Sequence, residues 1–241
     1  MNIGRLLNRH AKFRRNHPAL IFGEERLTFE SLNSRVNQLA NGFLKLGIKK
    51  GDKVATVLNN CVELVEVFWA AARIGAVAVP LSPLLRGKGL SSLIRDSDAV
   101  LVITEPEAAE IVDAVKPDLP HIRSEQYYTV SGEHPGYMDY QALKAGSKDI
   151  EPEEIEIHQD DPVNIIYSSG TTGLPKGIVH THYIRGLYCS TFASSWRMMP
   201  ESICLHTGSV IFNGAFMLMM PAMYLGSTFI FGRHLNGSQL V

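Results

Sequence analysis

The chain has 241 residues, of which 45% are hydrophobic and 20% are charged. This composition is typical of a globular protein with a large core, and it excludes an intrinsically disordered chain. The 23 basic and 24 acidic residues give a formal net charge of −1. A charge so near zero lacks the electrostatic signature of a nucleic-acid-binding protein, so we expect no nucleic-acid partner.

The cysteines and the N-terminus favour a cytoplasmic protein. Cys61, Cys189 and Cys204 are far apart and form no CxxC pair, so we expect free thiols in a reducing compartment. Basic residues interrupt the apolar positions of the first 15 residues, which excludes a secretory signal. The spacing there predicts a short surface helix packed on the domain, with a membrane-surface helix and peripheral attachment as the open alternative.

Helical and strand patterns alternate from residue 27 onwards. The predicted elements are, in order, helix 32–46, strand 53–58, helix 62–74, strand 76–79, helix 89–96, strand 100–103 and helix 106–115. Gly47 and Gly75 are placed to end helices, and Pro80 is placed to end a strand. This alternation predicts an α/β fold of layered, mostly parallel sheets with flanking helices.

Residues 134–161 are polar and acidic and lack an apolar period, so we predict a solvated surface connection. The core pattern resumes with a predicted strand at 163–167 and a predicted helix at 181–197. Residues 167–177 are therefore expected to form a loop between a strand and a helix.

Residues 202–232 carry no charged side chain and would be long enough to cross a membrane. Asn213, Gly214, Pro221, Gly226 and Ser227 divide the stretch, however, into a predicted strand at 209–212, a helix at 214–225 and a strand at 228–231. Strands buried on both faces of a parallel sheet are continuously apolar. We therefore predict no transmembrane span.

The loop at 167–177 has the residue types that a triphosphate requires, and it reads Tyr-Ser-Ser-Gly-Thr-Thr-Gly-Leu-Pro-Lys-Gly. Glycines at 170, 173 and 177 permit positive φ and close backbone approach, the four Ser and Thr residues offer hydroxyls, and Lys176 offers a cation. The stretch does not match the Walker A pattern, and no dinucleotide fingerprint occurs in the chain. A flexible surface turn is the alternative interpretation.

The loop resembles the signature of the adenylate-forming (AMP-binding) superfamily, which includes acyl-CoA synthetases and coumarate CoA ligases. Residues 27–32, 47–54 and 72–81 are similar to the upstream motifs of that family, in the same order. The resemblance implies that residues 1–241 form a partial N-terminal AMP-binding domain, incomplete as the large domain of the fold, with the C-terminal domain absent.

The resemblance also implies a reaction. ATP, with Mg²⁺, activates a fatty or aryl carboxylic acid as an acyl adenylate, and coenzyme A then forms the thioester. By analogy, Lys176 and Thr171 are expected to be catalytic, while the metal ligands are unknown. The residues expected to contact the phosphates are Ser168, Ser169, Gly170, Thr171, Thr172, Gly173 and Lys176.

Asn213 and Gly214 are the candidate residues for the acid substrate. The family often has an aromatic residue followed by His at this place, where this chain has Phe212 and Asn213. Asn213 can donate a hydrogen bond to a carboxylate but cannot become cationic, and a helix N-cap role is the alternative. Five apolar side chains that follow are interpreted as core or as one wall of a medium- or long-chain acid pocket, namely Phe216, Met217, Met219, Met220 and Met223.

His180 and His182 stand two residues apart, but no third ligand is evident, so we expect a structural helix start and no zinc site. A non-enzymatic nucleotide-binding fragment and an adenylation unit for a carrier-protein thiol are alternative functions. A homodimer is a further open expectation.

Overall fold

The computed structural model describes residues 2–168 and 175–233, which form two β-sheets with helices between and outside them. The helices are α1 Leu6–Phe13, α2 Phe29–Lys45, α3 Val62–Ile74, α4 Gly87–Asp96, α5 Pro106–Asp113, α6 Tyr140–Lys144, α7 His182–Ser195 and α8 Asn213–Leu225. The strands are β1 Pro18–Phe22, β2 Glu25–Thr28, β3 Lys53–Val57, β4 Val77–Leu81, β5 Ala99–Thr104, β6 Tyr127–Thr129, β7 Met138–Asp139, β8 Pro162–Ser168, β9 Lys176–Thr181, β10 Ile203–His206 and β11 Thr228–Phe231. Short 3-10 helices span Ile3–Arg5, Lys116–Asp118 and Ser124–Gln126.

The larger sheet has seven strands in the order β7-β6-β5-β3-β4-β8-β9. Its strand pairs are parallel except for β8 with β9, which is antiparallel. The smaller sheet has the order β10-β11-β1-β2, and its β1 with β2 pair is antiparallel. The prediction of layered, mostly parallel sheets with flanking helices is confirmed.

Two cores lie on opposite faces of the larger sheet. Val54 of β3 belongs to the larger core, which also includes side chains from the smaller sheet and from α2, α3 and α8. Ala55 and Val57 belong to a second core with α4 and α5. Successive side chains of a strand point to opposite faces, so both faces of this sheet are covered, as a parallel sheet requires.

The predicted helix ends at Gly47 and Gly75 are confirmed. Gly75 follows α3 with φ +73°, and Gly47 lies just beyond α2 with φ +87°. Both values fall in the left-handed region, which glycine adopts without steric cost.

The predicted strand at 209–212 is wrong, because the strand lies earlier, at Ile203–His206. Residues 209–212 are held instead by a side chain that follows β3. Asn60 accepts a hydrogen bond from the Val210 N–H at 2.8 Å and donates to the carbonyls of Gly208 and Gly232 at 2.9 and 2.8 Å. These bonds satisfy backbone groups that a sheet ladder would otherwise satisfy.

Pro80 does not end its strand, contrary to the prediction, since β4 continues to Leu81. The ladder with β3 runs unbroken through the pairs Thr56 with Pro80 and Val57 with Leu81. Backbone N–H groups alternate between the two sides of a strand, so an unbroken ladder on the β3 side places the proline nitrogen on the β8 side. The pairing of β4 with β8 is accordingly confined to Ala78 with Asn164.

The segment 134–161 is more than a solvated connection, because it contains β7 and α6. Tyr140 is fully buried, and its hydroxyl donates to the buried Glu66 of α3 at 2.7 Å. Lys144 donates to the same carboxylate at 3.1 Å. The prediction failed here because one buried tyrosine and one buried leucine, Leu143, are too few to give a visible apolar period.

The first residues form the predicted surface helix. Ile3 and Leu7 are buried against the domain, whereas Phe13 at the end of α1 is exposed. Among the described residues, none of the helices combines the length and the apolar character needed to cross a bilayer.

We expect Gly42→Ala to destabilise the fold by about 1–3 kcal/mol, although alanine normally favours a helix interior. A Cβ at Gly42 would lie 1.8 Å from the Leu143 carbonyl oxygen, so α6 would have to shift away from α2. Denaturant unfolding measures the change. Gly89→Ala in α4 is the matched control, because a Cβ there meets nothing within 4 Å, and its stability should be unchanged or up to about 1 kcal/mol higher. Equal effects of the two substitutions would contradict the packing described here.

His182 joins the N-terminus to the core. The ring is fully buried, and its Nδ1 accepts a hydrogen bond from the Ile3 N–H at 3.2 Å. Burial lowers the pKa of His182 to about 4 from an ordinary value of 6.5, and it outweighs the opposite effect of Asp161. The folded chain therefore keeps this ring neutral at pH values where the unfolded chain protonates it.

The contribution of His182 to the free energy of unfolding should consequently be greatest above pH 6.5, and it should fall as the pH falls towards 4. Between pH 7 and pH 5 the contribution of His182 is a loss of about 2 kcal/mol. His182→Asn, whose side-chain oxygen can still accept from Ile3, should remove that part of the pH dependence in urea unfolding. The exposed His121→Asn is the control and should leave it unchanged. A wild-type pH dependence in the His182 variant would contradict the assignment.

Candidate functional site

The phosphate-loop candidate lies between two strands and not, as predicted, between a strand and a helix. Residues 162–168 form β8, residues 176–181 form β9, and the two strands pair in antiparallel register. Ser168 is paired directly with Lys176, and both side chains are exposed. The hairpin therefore brings the hydroxyl at one end of the loop close to the cation at the other end.

Tyr167 fixes the hairpin at its loop end, where it pairs with Gly177. Its hydroxyl donates to the Asp96 carboxylate at 2.6 Å and lies 3.3 Å from the Leu93 carbonyl oxygen, which anchors the end of β8 to α4. Burial and the contact with Asp96 raise the pKa of Tyr167, so the phenol stays protonated.

Gly177 makes room for the tyrosine ring. A Cβ on Gly177 would lie 3.1 Å from both Ile165 Cγ2 and Tyr167 Cε1. This glycine is absent from the positive-φ residues of the described chain, so the predicted role of a left-handed loop glycine is wrong at this position. Its function is the close packing of the hairpin.

The topological switch point of the larger sheet lies between β3 and β5, because the chain continues from β3 to one side and from β5 to the other. Ligands of open α/β sheets bind outside the carboxyl ends of the strands at such a point. Here the crevice is filled by the buried Glu105, which accepts hydrogen bonds from the Asn59 N–H at 3.1 Å and from Arg233 Nη2 at 2.6 Å. The protein's own side chains therefore occupy this position.

An open cleft lies two gaps further along the sheet, between the carboxyl ends of β4 and β8. Its volume is about 190 Å³. Pro80 cannot donate a ladder hydrogen bond towards β8, so the two strands separate beyond Ala78 and leave this space. The cleft is lined by residues from β4, α4, both ends of the hairpin loop and the segment before α8, namely Pro80, Leu81, Ser82, Leu85, Leu93, Tyr167, Ser168, Pro175, Ile211 and Phe212.

Ile211 and Phe212, immediately before α8, line the far side of the cleft. Phe212 is 54% exposed, Asn213 is half-buried and Gly214 is exposed. Asn213 Oδ1 accepts from Arg185 Nη1 at 2.9 Å, and its amide nitrogen donates to the Tyr188 hydroxyl at 3.0 Å. The predicted N-cap role of Asn213 is therefore wrong: the cap position is Phe212, and no side chain caps the helix.

Sequence reasoning missed Arg185, which lies in the middle of this network. It is fully buried, and its Nε donates to Asn164 Oδ1 in β8 at 3.0 Å. Burial lowers the pKa of Arg185 to about 9. The spacing could have revealed it, because the buried stripe of α7 consists of residues 182, 185, 186, 189 and 193 at helical intervals.

The side chains proposed as core or as an acid pocket pack mainly as core. Phe216, Met219, Met220 and Met223 are buried. Phe216 and Met219 line an apolar cavity of about 20 Å³, which is the size of a single water molecule. A long acyl chain does not fit there without rearrangement.

No metal centre is evident in the described part of the chain, where no group of three or more His, Cys, Asp or Glu residues could hold an ion. Burial lowers the pKa of His180 to about 4, and the nearby Arg185 acts in the same direction. The structure therefore assigns no ligand for Mg²⁺. Of the predicted phosphate contacts, Ser169, Gly170, Thr171, Thr172 and Gly173 lie outside the described residues.

Comparison with known proteins gives a consistent family. A family model described as "AMP-binding enzyme" matches residues 7–239. The long-chain-fatty-acid–CoA ligase FadD13 of Mycobacterium tuberculosis is 34% identical over 176 residues, which is 70% of this chain and 32% of that protein. The crotonobetaine/carnitine–CoA ligase of Salmonella arizonae is 35% identical over 216 residues, 86% of this chain and 39% of the relative. The chain thus spans between about a third and two fifths of the length of these relatives.

Solved structures agree with the sequence relatives. The inhibitor-bound N-terminal domain of FACL13 from Mycobacterium tuberculosis matches 99% of this chain and 59% of its own, with a TM-score of 0.85 and 28% identity. The anthranilate CoA ligase AuaEII, in complex with anthranoyl-AMP, matches 95% of this chain and 44% of its own, with a TM-score of 0.88 and 25% identity. Since the family model covers nearly the whole chain and the fold agrees, the chain belongs to the AMP-binding enzyme family.

Proposed function

We propose that this chain supplies part of the ATP and acid sites of an AMP-forming acyl-CoA ligase. The observation that carries the proposal is the hairpin at the mouth of the cleft, which pairs Ser168 with Lys176 in a chain of the AMP-binding family. The acid's carboxylate oxygen attacks the α-phosphorus of ATP, the bond to the β-phosphate oxygen breaks, and pyrophosphate leaves. The thiol of coenzyme A then attacks the acyl carbon and releases AMP.

Lys176 is exposed at the start of β9, directly across the ladder from Ser168. We propose that it neutralises the charge that develops on pyrophosphate, with Ser168 and the predicted loop positions Ser169, Gly170, Thr171, Thr172 and Gly173 as hydrogen-bond donors. The residues described here contain no set of carboxylates for Mg²⁺. When bound with ATP, the ion would shield the phosphate charge, and no residue is assigned to it.

We expect Lys176→Ala to slow adenylation by about 100-fold and to weaken ATP binding by less than about tenfold, because its charge meets the leaving group more than the ground state. Acid-dependent exchange of labelled pyrophosphate into ATP measures the first effect, and calorimetry with an ATP analogue measures the second. Lys148→Ala is the control, since Lys148 is also exposed and lies in the connection between α6 and β8. Unchanged exchange in the Lys176 variant would refute the role.

The chain spans about a third to two fifths of the length of its relatives, which decides the protein used in the exchange assay. We expect residues 1–241 to be inactive or nearly so, and the assay therefore uses the longest product of the reading frame that contains them. ATP binding without any exchange in that product would favour a non-enzymatic nucleotide-binding protein. Thioester formation on a carrier-protein pantetheine but not on free coenzyme A would favour an adenylation unit for a carrier.

The acid is proposed to be a fatty or aryl acid that enters the cleft beside Phe212, with Asn213 and Gly214 at its rim. The cleft is lined mainly by apolar side chains. Two relatives are named for a long-chain fatty acid and for anthranilate, and the lining supports this class over the crotonobetaine and carnitine for which another relative is named. We expect exchange with octanoate or benzoate to exceed exchange with acetate at equal concentration by roughly tenfold or more, because burial of each added methylene contributes about 0.8 kcal/mol. Equal rates with acetate would contradict this class of substrate.

A further inference from the structure

Tyr167 belongs both to the cleft and to the hairpin that carries the phosphate-loop candidate. Its half-buried ring is part of the cleft lining, together with the next residue, Ser168. Ser168 ends β8 and is paired with Lys176 across the ladder. The position of this ring in the wall of the cleft is therefore tied to the position of the two ends of the loop.

Helix α4 holds the Tyr167 hydroxyl. Leu93 of α4 also lines the cleft, and its carbonyl oxygen lies 3.3 Å from that hydroxyl. Asp96, the last residue of α4, accepts the hydrogen bond at 2.6 Å. A hydrogen bond to a carboxylate is shorter and stronger than one between neutral groups, so the single proton of the phenol points to Asp96. One hydrogen bond thus joins the α4 wall of the cleft to the end of β8.

The Tyr167 ring also contacts the start of β9. A Cβ on Gly177 would lie 3.1 Å from Cε1 and 3.2 Å from Cζ of Tyr167, so the ring packs directly on the glycine backbone. Gly177 follows Lys176 in this strand. Close-packed groups transmit a displacement to their neighbours. A Tyr167 ring that moves therefore displaces the strand that begins with Lys176.

The bond between Tyr167 and Asp96 lies at the surface, so the fold depends on it little. Asp96 is exposed, and water replaces the hydroxyl as its partner when the hydroxyl is removed. Tyr140 is the opposite case, because its hydroxyl donates to Glu66 at 2.7 Å and both side chains are buried. The chain therefore holds two tyrosine–carboxylate bonds of nearly equal length. One stabilises the interior, and the other connects the cleft to the hairpin.

We propose that Tyr167, held by Asp96, is a positioning residue for the adenylation step. The inference rests on the proposed function, since it takes Lys176 to meet the pyrophosphate that leaves. The hydrogen bond keeps Ser168 and Lys176 at a fixed place relative to an acid in the cleft. A small misplacement of a group that acts in the transition state costs a large factor in rate. Loss of the bond therefore lowers the rate of adenylation more than the affinity for either substrate.

Tyr167→Phe tests this role, because it removes the hydroxyl and keeps the ring that lines the cleft. The assay is acid-dependent pyrophosphate exchange with the longest product of the reading frame. We expect kcat to fall about tenfold, because the hairpin loses its fixed position. KM for ATP and KM for octanoate should each change less than about threefold, since the surfaces that bind the ground states remain.

Tyr140→Phe is the matched control, since it removes the same kind of hydroxyl at a distance from the cleft. We expect it to keep the wild-type kcat. It should lower the Tm more than Tyr167→Phe does, because the buried Glu66 loses a donor. A kcat that follows the Tm in these two variants would mean that Tyr167 acts through stability alone, and it would overturn the proposal.

Asp96 gives an independent test of the same bond. Asp96→Ala should lower kcat as much as Tyr167→Phe, and the double variant should be no slower than either single variant, because all three lack one interaction. Asp96→Asn should keep more than about half of the wild-type kcat, since an amide oxygen still accepts from the phenol. Wild-type kcat in Tyr167→Phe, additive losses in the double variant, or an Asp96→Asn variant as slow as Asp96→Ala would each overturn the proposal.

Failure of this inference is distinguishable from failure of the proposed function. Exchange that is lost in Lys176→Ala but unchanged in Tyr167→Phe rejects the positioning role and retains adenylation. A wild-type protein without acid-dependent exchange rejects the proposed function and this inference with it.

Discussion

The site depends on the return of the chain from β7, at one end of the larger sheet, to β8, next to the central strands. The connecting segment crosses α2 and α3 and is fastened to them by polar groups. Asn41 donates to the carbonyls of Lys148 and Ile150, both at 2.9 Å. Lys50 then pairs with Asp161 at 2.6 Å immediately before β8. These contacts help to place β8 beside β4, and the hairpin, the wall of the cleft and the Asn164 contact of Arg185 all follow from that position.

The gaps between the carboxyl ends of the strands differ, since side chains fill one of them and another stays open as the cleft. At the switch point between β3 and β5, Glu105 and Arg233 close the crevice with a charged hydrogen bond at 2.6 Å. At the gap between β4 and β8, a proline prevents closure by removing the donor that would continue the ladder. The open space at the strand ends therefore lies beside the hairpin and not at the switch point.

Much of the fold could be predicted from the sequence, because helices such as α3 and strands such as β5 are long, periodic and punctuated by Gly or Pro. The failures are local. The turn at 209–212 is as apolar as a strand, and the bonds that keep it out of a sheet come from Asn60, 150 positions earlier in the chain. Arg185 was missed because a single charge on a helix is usually solvated, and its burial depends on α8 packing against α7. The phosphate-loop candidate was predicted from its residue types alone, whereas its position in a hairpin required the partner strand.

Strand β9 has a consequence for the behaviour of the chain in solution. Among the described strands it pairs with β8 alone, so its outer backbone groups form an edge, and Ile178 and Val179 on this strand are 47% and 53% exposed. Exposed edges with β-branched side chains are templates for pairing with other molecules. Lys176 at one end of the strand is the kind of gatekeeper charge that discourages such pairing. The cation proposed to meet pyrophosphate would thus also protect the chain from aggregation through this edge.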